Sequence, residues 1–266
     1  MAKSRALLNV LNAVSARELP TEQQFLTDLQ KSIELQDKKN SRQPSKTYKP
    51  SSMHCIRNMY YQVTGAPTKE ETNSYSLIGI CESGTDRHER IQQAVIDMKS
   101  NGIDCEYINV ADYVREQKLD YLEIVSEPDF ENGNYETKLY HKELNISFLC
   151  DGIIKYKGKY YILEIKTETS NKFWDRAGVN PDHILQGTSY SECLKIDDVL
   201  FVYECRDNCM KKAFMLHVTE EMRIELVHKI KSCTDYVEKQ VVPPKPEDIS
   251  KKACAYCNYA ERCKNE

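Results

Sequence analysis

The sequence predicts an α/β protein in which helices flank a central sheet. Segments with the apolar repeat of helices alternate along the 266-residue chain with short runs rich in Val, Ile and Tyr. Hydrophobic residues make up 40% of the chain, and Gly and Pro number 9 each. A folded core is therefore expected, and a collagen-like or mostly disordered chain is excluded.

The charge and hydropathy of the chain exclude two broad classes of protein. Lys and Arg total 37 against 41 Asp and Glu, for a net charge of -4, so the chain is not basic throughout as histones are. Mean hydropathy is -0.64, and no run reaches the ~18 to 20 apolar residues of a membrane helix. We interpret the N-terminus as an amphipathic helix and not a signal peptide, and therefore expect a cytoplasmic protein without a membrane partner.

Residues 1–50 are predicted to form a helical region followed by a basic linker. Apolar positions predict one helix over 4–17 and a second that begins at Thr21. The linker region, 38–57, contains no acidic residue. Its basic residues are Lys38, Lys39, Arg42, Lys46, Lys49 and Arg57. A solvated linker and a DNA-binding arm that contacts phosphates, through Lys46, Lys49 and Arg57, are both open interpretations.

Residues 51–242 are predicted to form the core. The predicted helices cover 84–101, 180–194 and 219–239, and the predicted strands cover 121–126, 135–140, 151–156, 160–166, 199–203 and 213–218. Gly84 and Thr85 are interpreted as the start of the first helix. Asn180 and Pro181 supply a capping side chain and a proline at the first helical position of the second.

The hairpin over 151–166 carries two carboxylates. If Lys157 and Gly158 form a two-residue turn, Asp151 lies opposite Glu164 with Cβ atoms about 5 Å apart, whereas a three-residue loop leaves them diagonal. Facing carboxylates repel each other unless a cation neutralises them, and their oxygens suit Mg²⁺ or Mn²⁺. Lys166 adds a positive charge, which completes the set of groups that phosphodiester hydrolysis uses. A solvated face with a cross-strand ion pair is the alternative.

Three more side chains are candidates for the same site. His88 lies on the core-facing side of its predicted helix, where a neutral imidazole either ligates metal or is simply packed. Gln186 and Tyr190 are four residues apart and therefore share a helix face. They either hold a nucleotide and position water, or pack ordinarily.

The last residues, 243–266, form a cysteine-rich tail. Cys254, Cys257 and Cys263 follow the spacing C-x2-C-x5-C, which indicates a metal site. Cys55 is the expected fourth ligand, and the other cysteines of the 11 are expected in the core, not in disulfides. Spacing leaves zinc and an iron-sulfur cluster open. Either would join residue 55 to the C-terminus, so its loss is expected to loosen the fold.

Together these motifs resemble the PD-(D/E)xK nuclease superfamily, in particular its RecB-type branch with the CRISPR-adaptation (Cas-four-like) and AddB-type nucleases. The resemblance covers about residues 51–263. In chain order the motifs are Ser52-x-x-Cys55-x-x-x-x-Tyr60-Tyr61, Gly84-x-x-x-His88-Glu89, Asp151-Gly152, Glu164-Ile165-Lys166, Gln186-x-x-x-Tyr190 and the cysteine triplet. The resemblance implies a restriction-endonuclease-like core, with a mixed central sheet flanked by helices, and a tail clamped by its cysteines.

The resemblance also implies a role for each site residue. Catalytic roles fall to Lys166, Asp151, Glu164, Gln186 and Tyr190, with the last two positioning the substrate. Mg²⁺ or Mn²⁺ is held by His88, Asp151, Glu164 and the Ile165 carbonyl. A 4Fe-4S iron-sulfur cluster, which the resemblance favours over zinc, is held by Cys55, Cys254, Cys257 and Cys263.

The function expected from these roles is a metal-dependent DNA exonuclease, acting on single strands or DNA ends in replication, recombination or repair. No GxxxxGKS/T helicase motif is present, so a helicase, recombinase or integrase partner would be a separate protein. A phage or prokaryotic origin would suit the small size. The alternatives are a non-catalytic DNA-binding or assembly module, an RNA or structure-specific endonuclease, a CRISPR prespacer-processing nuclease, and a zinc-binding protein.

Overall fold

The structure of the protein is a computed structural model that describes residues 20–40, 45–68, 74–247, 254 and 257–266. The helix predicted over 4–17 and the basic residue Arg42 lie outside the described residues. The chain divides into two compact units, Met1–Arg42 with Glu71–Glu82, and Gln43–Glu70 with Ser83–Glu266. The boundaries predicted after residues 50 and 242 stay predictions.

The described residues form an α/β fold, as predicted. The helices are α1 (Thr21–Asn40), α2 (Ile56–Thr64), α3 (Tyr75–Ser100), α4 (Val110–Glu116), α5 (Ser170–Asp175), α6 (Pro181–Leu194), α7 (Glu220–Glu238) and α8 (Ala260–Asn265). The strands are β1 (Cys105–Ile108), β2 (Leu122–Ser126), β3 (Thr137–His141), β4 (Ile146–Cys150), β5 (Gly152–Tyr156), β6 (Lys159–Glu168), β7 (Asp198–Cys205) and β8 (Lys211–His217). Helix α1 confirms the predicted helical N-terminal region. Among the described helices, none combines the length and apolarity that crossing a membrane requires.

Strand β6 lies at the centre of a five-stranded sheet with the order β1-β5-β6-β7-β8. It pairs antiparallel with β5 and parallel with β7, so the central sheet is mixed, as predicted. Leu163 and Ile165 pack with Ile91 of α3 on one face, and Ile162 belongs to the larger core on the other. Because side chains alternate along a strand, Glu164 and Lys166 share the face of Ile162. Strands β2, β3 and β4 form a second, antiparallel sheet.

The turn between β5 and β6 is the predicted two-residue turn. Lys157 and Gly158 have φ angles of 50° and 80°, and positive values at both positions are what a type I′ turn requires. Gly152 pairs with Leu163, and Tyr156 pairs with Lys159. This is the register that was predicted to bring Asp151 opposite Glu164.

Helix α6 begins and packs for reasons that are local in the sequence. The Asn180 side chain accepts a hydrogen bond from the N–H of Asp182 at 3.2 Å, and Pro181 occupies the first turn. A Cβ on Gly187 would lie 2.9 Å from Leu216 Cδ2 and 3.1 Å from Phe201 Cζ. A larger residue at position 187 would displace the Leu216 side chain and crowd the Phe201 ring, so glycine lets the helix pack close to β7 and β8.

Two predictions made along the chain were wrong. Helix α3 begins at Tyr75, not at Gly84, because the Ser74 hydroxyl accepts from the N–H of Leu77 (3.3 Å) and supplies the earlier cap. Gly84 is tolerated inside the helix, where a Cβ would meet none of the described packing neighbours within 4 Å. Cys81 and Cys209 were expected in the core but are exposed. The other predicted core cysteines are buried: Cys105, Cys150, Cys193, Cys205 and Cys233.

Candidate active site and cysteine site

Asp151 lies at the junction between the two sheets, after the last residue of β4 and before Gly152, the first of β5. Its backbone carbonyl accepts hydrogen bonds from Gln92 Nε2 and from the Tyr107 hydroxyl, both at 2.7 Å. The Tyr107 ring passes so close to Gly152 that a Cβ there would lie 2.5 Å from Cε2 of the ring. Glycine after Asp151 is therefore a requirement of this packing.

The Asp151 carboxylate is buried, and both of its oxygens have partners. Oδ2 accepts from the backbone N–H of Ile165 at 2.6 Å, and Oδ1 lies 3.3 Å from Nδ1 of His88. Burial alone raises the pKa of this carboxyl, but the hydrogen bond and charge of His88, together with the charge of Lys166, outweigh burial and hold the pKa below its usual range. Asp151 is therefore an anion at neutral pH.

Glu164, Lys166, Gln186 and Tyr190 form one connected group. The Lys166 ammonium lies 2.5 Å from Oε1 of Glu164 and donates to Oε1 of Gln186 at 3.0 Å. Gln186 Nε2 donates to Oε1 of Glu164 and to the Tyr190 hydroxyl, both at 2.8 Å. The structure thus brings together the two strand residues and the two helix residues that were predicted to share a site.

One oxygen of this group has no partner. Oε2 of Glu164 is buried and accepts no hydrogen bond from the described residues. Burial and the negative charge of Asp151 raise the pKa of Glu164 to about 7. A buried carboxylate oxygen without a donor is costly, and a bound cation would satisfy it. Together with the charge on Asp151, this oxygen fits a hard divalent metal.

Glu136 is a member of the candidate site that the sequence did not predict. Ligand atoms of His88, Glu136 and Asp151 all lie within 4.8 Å of one another. Glu164 does not belong to this compact group among the described residues. The missing signal was the register of β3 and β4, because β4 was not predicted.

A cavity of about 330 Å³ opens beside Lys166. Its lining residues come from β6, α6, the region around α2 and the C-terminal segment: Ser51, His54, Asn58, Lys166, Asp182, His183, Gln186 and Cys257. Burial and the charges of Lys166 and Arg176 lower the pKa of His183 to about 3, so this imidazole is neutral. The cavity therefore extends from the Lys166 ammonium to the cysteine site.

The four predicted cysteines line a single smaller cavity of about 60 Å³. They are Cys55, Cys254, Cys257 and Cys263. Three N–H groups point at their sulfurs: Arg57 to Cys263 Sγ at 3.2 Å, and Asn58 and the backbone of Tyr259 to Cys257 Sγ at 3.5 and 3.4 Å. N–H donors to sulfur are typical of metal-bound thiolates. The donor set fits zinc or an iron-sulfur cluster and does not distinguish them.

The structure corrects the interpretation of Arg57 as a phosphate contact. Its side chain is buried, and the guanidinium donates to Pro243 O at 2.8 Å and to Cys263 O at 2.9 Å, as well as to the Cys263 sulfur. Every one of these acceptors belongs to the C-terminal segment, so Arg57 is part of the cysteine site. Lys46 and Lys49 are exposed, as a phosphate contact requires.

Neither a protein-family model nor a curated protein matches the chain. Among solved structures, the chain is similar to SSO0001 (TM-score 0.49, 15% identity, covering 90% of this chain and 96% of that one). It is also similar to the alkaline exonuclease LHK-Exo from Laribacter hongkongensis (TM-score 0.43, 10% identity, 74% and 90% covered). The same exonuclease in complex with dAMP gives a TM-score of 0.41 at 12% identity, with 73% and 89% covered. These values are too low to assign the chain to a family.

Proposed function

We propose that the protein is a metal-dependent DNA nuclease, acting as an exonuclease on single strands or DNA ends. The observation that carries this proposal is the unsatisfied Oε2 of Glu164, a buried oxygen in a site that also holds the Asp151 anion and the Lys166 ammonium. A divalent cation and a fixed ammonium are positive groups that can activate water and stabilise the charge that develops in phosphodiester hydrolysis.

The residues that would hold Mg²⁺ or Mn²⁺ are His88, Asp151, Glu164 and the Ile165 carbonyl. When bound, the metal neutralises phosphate charge and lowers the pKa of a coordinated water. Side chains of the site supply the other functions. Lys166 is held between two acceptors, Glu164 and Gln186, so its ammonium is fixed where it can orient the nucleophile or stabilise negative charge on the phosphate.

Gln186 and Tyr190 position these groups. The Gln186 amide contacts Lys166 through its oxygen and Glu164 and Tyr190 through its nitrogen. Burial, together with the charges of Glu164 and Asp151, raises the pKa of Tyr190 well above its usual value, so its hydroxyl keeps its proton. The Tyr190 hydroxyl accepts the Gln186 amide N–H and keeps its own proton, so it is not a base in this site.

The cavity beside Lys166 is where we place the substrate strand. It is lined by the Lys166 ammonium, a neutral imidazole and amide side chains, which suit a phosphate backbone and nucleobase edges. Lys46 and Lys49, which are exposed, are proposed to add phosphate contacts. The choice of DNA and of end-directed cleavage rests on the motif resemblance, as does a separate helicase, recombinase or integrase partner.

The cysteine site is proposed to hold a structural 4Fe-4S cluster, with zinc as the lesser alternative. The N–H donors at Cys257 and Cys263 support a thiolate-bound group of either kind. Iron, sulfide and zinc analysis of protein purified without oxygen separates them. Bound zinc without iron would contradict the proposal of an iron-sulfur cluster.

The experiment that tests the function uses wild-type protein with 5′-labelled and 3′-labelled single-stranded DNA and a closed circle, in Mn²⁺, Mg²⁺ or EDTA. Metal-dependent loss of the linear strands alone is expected, and the retained label gives the polarity. Cleavage of the closed circle would show that the protein is an endonuclease and not an exonuclease. No cleavage of any substrate would contradict the nuclease proposal and favour a DNA-binding module.

A further inference from the structure

Asp151 lies between two other carboxylates. Strands β3 and β4 pair Thr137 with Cys150, and strands β5 and β6 pair Gly152 with Leu163. Extending each ladder by one residue puts Glu136 opposite Asp151 on one side and Glu164 opposite Asp151 on the other. The junction between the two sheets therefore gathers three acidic side chains and not two.

Glu136 is close enough to ligate a cation with its neighbours. Its carboxylate, the Asp151 carboxylate and an imidazole nitrogen of His88 lie within 4.8 Å of one another. The Glu136 side chain is half-buried beside the buried Asp151 carboxylate. Oε2 of Glu164, the residue opposite Asp151 on the extended β5–β6 ladder, is buried and has no hydrogen-bond partner among the described residues.

The site carries more negative than positive charge, and one divalent cation balances the difference. When the three carboxylates are ionised and His88 is the neutral imidazole that metal ligation requires, Glu136, Asp151 and Glu164 contribute three negative charges and Lys166 contributes one positive charge. Two negative charges then remain in a partly buried site, and one divalent cation balances them.

We propose that Glu136 is a further metal ligand, which joins His88, Asp151 and Glu164 around one divalent cation. This inference rests on the proposed nuclease function, and it adds a fourth side chain to the ligands of the proposed metal. Imidazole suits transition metals, and carboxylates suit Mg²⁺, Ca²⁺ and Mn²⁺. A site with one imidazole and three carboxylates therefore favours Mn²⁺ over Mg²⁺ or Ca²⁺.

The test is a Mn²⁺ titration of the full chain, with its cysteine site loaded, in which free Mn²⁺ is read by electron paramagnetic resonance. Glu136→Gln is compared with wild type and with Glu131→Gln, an exposed glutamate five positions earlier. We expect Glu136→Gln to bind Mn²⁺ at least about tenfold more weakly and Glu131→Gln to bind like wild type. Equal Mn²⁺ affinity in all three proteins would overturn the assignment.

A melting experiment separates a ligand from a residue that only supports the fold. In EDTA, Glu136→Gln should melt no lower than wild type, because the change removes an uncompensated charge. In Mn²⁺, wild type should gain more in Tm than the variant does. A variant that melts lower than wild type by the same amount in both buffers would overturn the assignment in favour of a structural role.

The same samples distinguish this inference from the function on which it rests. If Mn²⁺ affinity drops in Glu136→Gln but wild type cleaves no DNA, the ligand assignment stands and the nuclease proposal fails. If wild type cleaves DNA while Glu136→Gln keeps full Mn²⁺ affinity, the nuclease proposal stands and the ligand assignment fails. A wild type that binds no Mn²⁺ at all contradicts both.

Discussion

At the scale of single residues, the hydrogen-bond partners of His183 favour one tautomer of its ring in the cavity beside Lys166. The Tyr203 hydroxyl accepts the N–H of Asn180 at 3.1 Å and lies 3.0 Å from Nδ1 of His183. Because Tyr203 already accepts from Asn180, we assign its own hydroxyl proton to a hydrogen bond with Nδ1 of His183, and this assignment puts the proton of the neutral His183 ring on Nε2. His183 thereby becomes a neutral donor in the cavity.

We predict that His183 keeps this tautomer and stays uncharged from about pH 8 to about pH 5, since its pKa is lowered to about 3 by burial and by Lys166. Long-range ¹H–¹⁵N correlation spectra report both the tautomer and the charge of a histidine ring. A protonated ring at the acidic end of this range, or a proton on Nδ1, would contradict the assignment.

Arg57 and Lys46 provide a contrast between a buried and an exposed cation. Arg57→Lys removes the forked donors to Pro243 and Cys263, so we predict a loss of roughly 1.5–3 kcal/mol in the free energy of unfolding and less bound metal.

Lys46→Ala should leave metal content unchanged and weaken DNA binding, with a shallower salt dependence. Unfolding curves, metal analysis and binding at two salt concentrations measure these effects, and the reverse pattern would contradict both roles.

At the scale of elements, the site depends on how β1 packs over the junction between β4 and β5. Tyr107 of β1 donates to the Asp151 carbonyl and approaches Gly152 too closely for any side chain. The position of the Asp151 carboxylate is therefore set partly by a strand that contributes nothing to the chemistry.

We predict that Gly152→Ala displaces Tyr107 and lowers both stability and metal affinity. Because the clash is with the Tyr107 ring, the cost of Gly152→Ala should shrink by at least about 1 kcal/mol in a Tyr107→Ala background. A double-mutant cycle on the free energy of unfolding measures this coupling. Additive effects would show that Gly152 is needed for another reason.

An element could be predicted from the sequence where the residues that specify it are close together along the chain. The register of β5 and β6 was predictable because Gly158 and the strand pattern of 160–166 are adjacent in sequence. The start of α6 was predictable from Asn180 and Pro181. Glu136 was not predictable, because its place beside Asp151 depends on β4, whose sequence carries no alternation of polar and apolar residues strong enough to mark a strand.

Two other outcomes depended on tertiary contacts. Arg57 lies in a basic stretch that suggests a phosphate contact. Its hydrogen bonds to the carbonyls of Pro243 and Cys263, which are distant in sequence, are visible only in the folded structure. The four cysteines were brought together as expected, since three of them are close in sequence and the fourth was chosen from the remaining motifs.

At the scale of the whole molecule, the cysteine site connects the beginning of the folded core to the end of the chain. Besides the four cysteines, the Tyr61 hydroxyl donates to Glu266 Oε2 at 2.8 Å, and Arg57 donates to Pro243 O. A bound metal or cluster would close a loop of about 200 residues, and constraining long loops stabilises the folded state relative to the unfolded chain.

We predict that Cys257→Ser loses the bound metal and lowers Tm by more than the roughly 2–4 °C that a loss of about 1 kcal/mol produces in a domain of this size. Cys209→Ser, which changes an exposed cysteine outside the site, is the matched control and should melt like wild type. Calorimetry with metal analysis of the same samples measures both. A Cys257→Ser protein that is metal-free and as stable as wild type would refute the clamp.

The central claim is that Lys166, beside the carboxylates of Asp151 and Glu164, takes part in metal-dependent cleavage of DNA. Its most direct test is the cleavage rate of a 5′-labelled single strand in Mn²⁺ by Lys166→Ala, with DNA affinity and metal content measured on the same sample. Lys155→Ala, on the neighbouring strand, is the control. The account predicts that Lys166→Ala is slower by at least about 10²-fold with little change in affinity or metal content, and cleavage at the wild-type rate would contradict it.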